Sequence, residues 1–400
     1  PLCRGEIPPG EDARFYRRRL SPLFTALINL FRRQPRLRIM GGGGRDRLRP
    51  AAGRRMDISQ FDYHLPPELV AQFPSRRRDE SRLMIVDRAG DGCTIVPFRR
   101  IADYLEDGEA LVVNDTRVFK ARLRGNRSSG ARVEVFLVRP LDRGDGDAWL
   151  ALVSPSRRLR EGEDVLFGDD RIRLREYQGK GRWAVGFASR AARERIIRRH
   201  GRVPLPHYIR REDGPADLRR YQTVFADRAR TGAVAAPTAG FHFTRPLLHD
   251  LAGRGVRLVR LTLHVGPGTF KPVSADNIDD HVVDPEWAEL PESAARVLNG
   301  VRDGGGRITA VGTTSVRTLE SVVRGDGRFV PLAGMVDLYI RPGYHFRGVD
   351  RLITNFHLPR SSLLILVAAF AGRDRILEAY RYAIAQRMRF YSYGDAMLIL

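Results

Sequence analysis

The chain has 400 residues, 42% of them hydrophobic and 29% charged, and a formal net charge of +22. That balance excludes a low-complexity disordered polymer, and the length favours two or three domains with a sizeable core. Two cysteines, Cys3 and Cys93, exclude a disulfide framework and a cysteine-rich zinc site, so a cytoplasmic location is expected.

Residues 1–55 differ from the rest. They hold fourteen Arg and four acidic residues, +10 of the total +22, which leaves +12 for the remainder. The apolar patch Leu20–Phe31 is bracketed by arginines, a pattern also found in targeting peptides and membrane-surface helices. The composition fits a disordered basic extension or an upstream over-translation better, with Met56 as the expected natural start. The glycines of "MGGGG" follow no strand pattern and are not read as a phosphate loop.

From Met56 onward, "DYHLPPELVAQFP" predicts a turn and a short helix, and "SRLMIVDRAG" a strand ending in a turn. "FRRIADYLEDGEALVVNDTRV" predicts a helix, a glycine turn and a buried strand. Between 121 and 220 the runs "ARVEVFLVRP", "DAWLALVSPSRRL", "EDVLFGDDRIRLREYQ" and "GRWAVGFA" alternate and are separated by Gly and Asp, the signal of an antiparallel barrel or sandwich. From Ala233 to Leu400 strands and helices alternate in "VRLVRLTLHV", "TAVGTTSVRTLESVV", "RLITNFHLPRSSLLILVAAFAG" and "RFYSYGDAMLIL". The expected class is therefore α/β. A mixed-sheet main domain takes residues 56–120 plus 221–400, and an inserted antiparallel β-barrel-like domain takes residues 121–220. The longest apolar run of the body, Leu363–Ala371, is too short to span a bilayer, which needs roughly 20 residues.

Ligands in open α/β sheets bind at the carboxyl ends of strands. Three histidines fall at such ends: His242 in "GFHFT", His264 in "LHVGPGTF" and His357 in "NFHLPRSS". Each alone reads as readily as a packed histidine, but three at analogous places suggest converging side chains. Thr238 and Gly240 precede His242 in a Pro-Thr-Ala-Gly turn. Gly266 and Gly268 flank Pro267 where a backbone could approach a ligand. Thr313, Thr314 and Ser315 can cap a helix whose N-terminus suits a carboxylate or phosphate, and Arg317 sits in its first turn against the dipole. Asn114, Asp115 and Arg117 form a polar cluster that is either a ligand site or an Asx turn. Arg360 stands at the mouth of the last apolar helix, and Asp395 lies near the final strand beside Tyr391 and Tyr393. There is no H-x-x-x-H, G-x-G-x-x-G, G-x-S-x-G or Walker pattern, so no metal is expected and a Rossmann-type methyltransferase loses support.

Read together and in order, "NDTRV", "APTAGFHF", "LHVGPGTF", "DHVVDPEW", "VGTTSVRTLES", "TNFHLPRSSLL" and "FYSYGDAMLI" carry a resemblance over Met56–Leu400. The chain closely resembles the S-adenosylmethionine:tRNA ribosyltransferase-isomerase family of queuosine biosynthesis. His207 and Pro267 depart from its usual pattern. The resemblance implies transfer and isomerisation of the ribosyl part of S-adenosylmethionine onto 7-aminomethyl-7-deazaguanine at the tRNA wobble position. Epoxyqueuosine-tRNA, adenine and methionine result. It further implies a cytoplasmic monomer with no bound cofactor, S-adenosylmethionine as co-substrate, and tRNA carrying the deazaguanine precursor in the anticodon as partner.

That chemistry needs a base for a proton next to the sulfonium, for which His242, His264 and His357 are the candidates. Thr313, Thr314, Ser315 and Arg317 are the candidates for the methionine carboxylate or a tRNA phosphate. Asp115, Arg117 and Asp395 are candidates for ribose or acceptor contacts. Two rival readings are another S-adenosylmethionine-dependent tRNA-modifying enzyme, such as a methyltransferase, and a non-catalytic RNA-binding protein.

Overall fold

The computed structural model describes residues 56–90, 92–141, 147–270 and 272–400. The expectations for residues 1–55, Cys3 included, lie outside the described residues.

Eighteen strands follow in chain order among the described residues. The first four are β1 (Arg82–Val86), β2 (Cys93–Pro97), β3 (Ala110–Asn114) and β4 (Arg117–Val118). Then come β5 (Arg122–Asn126), β6 (Arg132–Leu141), β7 (Ala148–Ser154), β8 (Asp164–Phe167), β9 (Asp170–Tyr177), β10 (Arg182–Gly186) and β11 (Gly201–Arg202). The last group is β12 (Thr231–Ala233), β13 (Arg257–Leu263), β14 (Glu286–Leu290), β15 (Ile308–Val311), β16 (Leu332–Val336), β17 (Arg351–Asn355) and β18 (Ala396–Ile399). The helices are α1 (Arg190–His200), α2 (Asp217–Arg220), α3 (Arg245–Gly253), α4 (Glu292–Asp303), α5 (Thr313–Val322), α6 (Ser362–Ala371) and α7 (Arg373–Ala385).

Nine strands form one mixed sheet in the order β16-β14-β13-β3-β15-β17-β18-β1-β2. Its centre, β13-β3-β15-β17, is parallel. Every residue of β3 and β15 is buried, as central parallel strands covered on both faces require. The two faces have separate cores. Met84, Val112, Leu261, Ala310, Leu352 and Met397 pack with residues of α4 to α7 on one side. Leu83, Leu111, Val311, Ile353 and Leu398 pack with α3 and the 3-10 turn Phe98–Asp103 on the other. Helix α4 meets the sheet with Ala294, Ala295, Leu298 and Val301, a three-and-four spacing that defines one face. Helix α6 is apolar nearly all round, and Leu364 to Ala368 are all buried because the helix lies in that core beside α7. No helix among the described residues is long and apolar enough to cross a membrane.

The expected α/β class with a β-barrel is what the chain forms. Strands β5-β6-β7-β10-β9-β8 run antiparallel, and Asn126 of β5 pairs with Leu166 of β8 to close six strands into a barrel. Alternate residues such as Leu123, Val135, Val153, Ile172 and Trp183 fill it. Gly125 sits at the closure, where a Cβ would lie 2.6 Å from the Leu166 carbonyl oxygen. Helix α1 is capped by Ser189 and turns Ile196 into the barrel core. Two expected helices are shorter than read. Pro67–Leu69 and Phe98–Asp103 are 3-10 turns, the first hemmed in by Pro66 and Pro67 at its own start.

Candidate active site

Strands β13, β3, β15 and β17 are parallel, so their carboxyl ends lie together along one edge of the sheet. Ligands of open α/β sheets bind in the crevice at such ends. The crevice is bridged on its floor: Asn114, the last residue of β3, donates from Nδ2 to the Leu263 carbonyl at 3.0 Å and to Thr314 Oγ1 at 3.3 Å. A cavity opens above it, lined by Thr238, Gly312, Thr313, Thr314, Thr354, Asn355, His357, Ser361, Tyr391 and Ser392 among others.

Two helices point their N-termini at this cavity. Gly312 turns from β15 into α5 with a φ of 86°, which favours glycine, and Thr313 and Thr314 line the cavity directly. Ser361 caps α6 by accepting from the Leu364 N–H, and Leu363 lines the same space. The free N–H groups and dipole ends of two helices give the cavity an anion-binding wall. No Asp, Glu, Lys or Arg among the described residues lines it. A second cavity of about 530 Å³ adjoins it through Thr269 and Leu363, and carries Asp280, Asp284, Glu286, Lys180 and Arg182. The second volume is of the size that ordinary small-molecule sites occupy, roughly 300–1,000 Å³.

The three histidines separate. Only His357 lines the first cavity. Its Nε2 lies 2.7 Å from Thr354 Oγ1, and its backbone is held on both sides: the N–H donates to the Tyr380 hydroxyl at 2.9 Å, and the carbonyl accepts from the Tyr63 hydroxyl. Burial lowers its pKa to about 3, so the ring is neutral at pH 7.

His242 does not reach the cavity. It ends a 3-10 turn, Thr238–His242, and its ring stacks on Phe98 at 4.9 Å between centroids. Ser81 Oγ lies 2.6 Å from Nδ1, and Asn355 Nδ2 lies 3.2 Å from Nε2. Asn355 Nδ2 is a donor, so Nε2 accepts and Nδ1 carries the proton and donates to Ser81 Oγ; the Ser81 hydroxyl in turn donates to the Arg78 carbonyl at 3.2 Å. Burial, with Arg389 and Arg78 nearby, lowers the pKa of this histidine to about 3. His242 is thus linked to the cavity wall through Asn355, whose Oδ1 accepts from Thr238 Oγ1 at 3.1 Å. His264 also points elsewhere. Its ring stacks on Trp287 at 5.1 Å, its Nδ1 meets Thr116 Oγ1 at 2.8 Å, and burial with Arg230 lowers its pKa to about 4.

Of the other expected residues, Thr238, Thr313 and Thr314 line the cavity, while Ser315 is buried and donates to the Val311 carbonyl at 2.8 Å. Arg317 turns to the second cavity and is ion-paired with buried Glu286, while its Nε donates to the Leu338 carbonyl at 3.0 Å. Gly266 donates its N–H to the same Glu286 at 2.7 Å, and Gly268 borders the second cavity. Gly240 serves packing: a Cβ there would lie 2.5 Å from the Phe225 ring. Asp115 accepts from Thr262 Oγ1 at 2.7 Å and is raised in pKa by burial, away from the cavity. Arg117 lies on β4, beside β12. Arg360 is ion-paired with Asp62, and buried Asp395 accepts from the N–H groups of Arg82 and Arg389 at 2.9 and 2.8 Å.

Thr354, Asn355 and Ser392 line the cavity without having been singled out from the sequence. The first two stand directly before His357 in "TNFH", and strand-end position was the signal available. Tyr391 has a φ of 70°, costly for a bulky residue, and is held there by bonds to Phe356, Asn355 and Gly394.

A cavity at the carboxyl ends of parallel strands, edged by two helix N-termini, is the arrangement in which α/β enzymes hold a small ligand. The family model described as "Queuosine biosynthesis protein" matches residues 58–399. An S-adenosylmethionine:tRNA ribosyltransferase-isomerase of Geobacter sulfurreducens is 50% identical over 345 residues, 86% of this chain and 100% of that protein. One of Syntrophomonas wolfei is 47% identical over 347 residues, 86% of this chain and 97% of its own. A crystal structure of S-adenosylmethionine tRNA ribosyltransferase from Thermotoga maritima is 37% identical, covers 86% of this chain and 100% of that one, and gives a TM-score of 0.49. The chain belongs to the S-adenosylmethionine:tRNA ribosyltransferase-isomerase family.

Proposed function

We propose that the chain transfers and isomerises the ribosyl moiety of S-adenosylmethionine onto 7-aminomethyl-7-deazaguanine at the wobble position of tRNA. The observation that carries the site assignment is the convergence of His357 with the N-termini of α5 and α6 on one cavity. The methionine carboxylate sits at Thr313 and Thr314, where backbone N–H groups and the dipole meet a negative charge. His357 is neutral and so in proton-accepting form, placed to take the proton next to the sulfonium. The glycosidic bond then breaks and adenine leaves. The acceptor amine loses a proton and forms the new carbon–nitrogen bond, and the carbon–sulfur bond breaks as a sugar oxygen closes the epoxide on that carbon, which frees methionine. Thr238 and Asn355, held by His242, orient the substrate. Residues 121–220 form a separate inserted domain, and the enzyme works in the cytoplasm as a single chain.

The test is incubation with S-adenosylmethionine and precursor tRNA. Free adenine appears in proportion to modified tRNA, and label in the S-methyl group ends in free methionine. Methyl label in tRNA with no free adenine would instead support methyl transfer.

A further inference from the structure

A third cavity, of about 660 Å³, lies behind the wall of the first and shares Tyr208, Leu358 and Tyr391 with it. Its rim carries Phe73, whose side chain is 64% exposed, the most exposed aromatic ring among the described residues. Such exposure of an aromatic ring is unfavourable in water, and here one ring face is already used: the Arg211 guanidinium lies 4.4 Å from the ring centroid. Arg210 borders the same cavity and is exposed.

The segment bearing Phe73 is fixed by arginines rather than by a core. Arg211 donates to the Gln72 carbonyl at 2.9 Å, Arg389 to the Phe73 carbonyl at 3.3 Å, and Arg220 to the Ser75 and Arg76 carbonyls at 2.7 and 2.9 Å. Gln72 completes the tie by accepting from the Arg210 N–H at 2.7 Å and donating to the Tyr208 carbonyl at 2.8 Å. Asp217 neutralises Arg211, but Arg78 and Arg220 bond only to carbonyls, and Arg78 is lowered in pKa to about 10 by burial and by Arg220. Arg76, Arg77 and Arg219 are exposed around them. The rim is thus a rigid, cation-rich surface with one free aromatic face.

We propose that Phe73 is a stacking platform for an unpaired nucleotide of the tRNA anticodon loop, sandwiched between the ring and solvent, with Arg210 and its neighbours on the flanking phosphates. Single-stranded nucleic acid is held in this way, by aromatic stacking beside a cationic track. The shared wall places that nucleotide next to the one presented to the reactive cavity. The inference rests on the proposed tRNA-modifying function and adds the place where the loop is gripped.

The experiment measures binding of an anticodon stem-loop, without S-adenosylmethionine, to the full chain and to Phe73→Ala and Phe73→Trp at fixed salt. Phe73→Ala weakens binding about tenfold, in the range alanine substitution of a stacking aromatic gives. Phe73→Trp binds at least as tightly as the parent, and both variants keep the parent thermal midpoint and KM for S-adenosylmethionine. Equal affinity of the parent and Phe73→Ala overturns the platform while leaving the function standing. A parent that neither binds the stem-loop nor releases adenine overturns the function itself.

Discussion

His242→Ala separates a positioning histidine from a catalytic one. The substitution removes a stack on Phe98 at 4.9 Å, worth about 0.5–1.5 kcal/mol beyond area. It also strands the Ser81 hydroxyl as an acceptor and one Asn355 amide proton, at about 1–3 kcal/mol for a buried group left without a partner. Asn355 keeps its second bond to the Tyr391 carbonyl at 3.2 Å, and Ser81 keeps its bond to Arg78, so the losses are partial. The net expectation is about 2–4 kcal/mol of destabilisation, which lowers the thermal midpoint by about 2–6 °C in a chain of this size. Calorimetry reads that midpoint, and adenine release measured well below it reads the chemistry. Release slows because Thr238 and Asn355 loosen, but its pH profile keeps the parent shape. An unchanged midpoint with adenine release abolished would refute the reasoning, because it would place the His242 ring on the substrate.

Further outcomes follow from the same geometry. His242 has a folded pKa of about 3, below that of a histidine in the unfolded chain, so the unfolded state binds the extra proton. Stability contributed by its neutral form is full above about pH 6.5 and is lost as pH falls towards the folded value, at about 1.4 kcal/mol per pH unit. Urea midpoints at pH 7.5 and 5.5 read this, and equal values would contradict the burial of that ring. Arg317→Ala leaves Glu286 buried and unpaired and destabilises the fold by about 3–5 kcal/mol, whereas a double replacement of both by apolar residues recovers much of the loss. Thr314→Val removes the acceptor for Asn114 Nδ2 and raises KM for S-adenosylmethionine more than it changes binding of tRNA.

The hydrophobic runs made the sheet legible. Continuity in "LMIV", "ALVVN" and "ITAV" reflects burial on both faces, a local property of sequence. The barrel was legible for the same reason, from short alternating runs broken by Gly and Asp. Thr244 and Ser361 cap helices with hydroxyls that accept backbone N–H groups three residues on. The site was legible only in part, because partners distant in sequence decide what a polar residue does. His242 looked equivalent to His357 until Ser81 and Phe98 packed against it from 161 and 144 residues away. Arg317 looked free for an anion until Glu286 claimed it. Asp395 looked available for ribose until the N–H groups of Arg82 and Arg389 took its oxygens.

The central claim is that chemistry takes place in the cavity faced by His357. His357→Gln tests it most directly, because the bonds to Tyr380 and Tyr63 come from the backbone and survive the change. Single-turnover adenine release with saturating S-adenosylmethionine and precursor tRNA should fall by about 10²-fold or more, with thermal midpoint and tRNA affinity near the parent values. His264→Gln, measured alongside, should stay within a few-fold of the parent. Near-parental release by the His357 variant, or an equal loss in the His264 variant, would contradict the account.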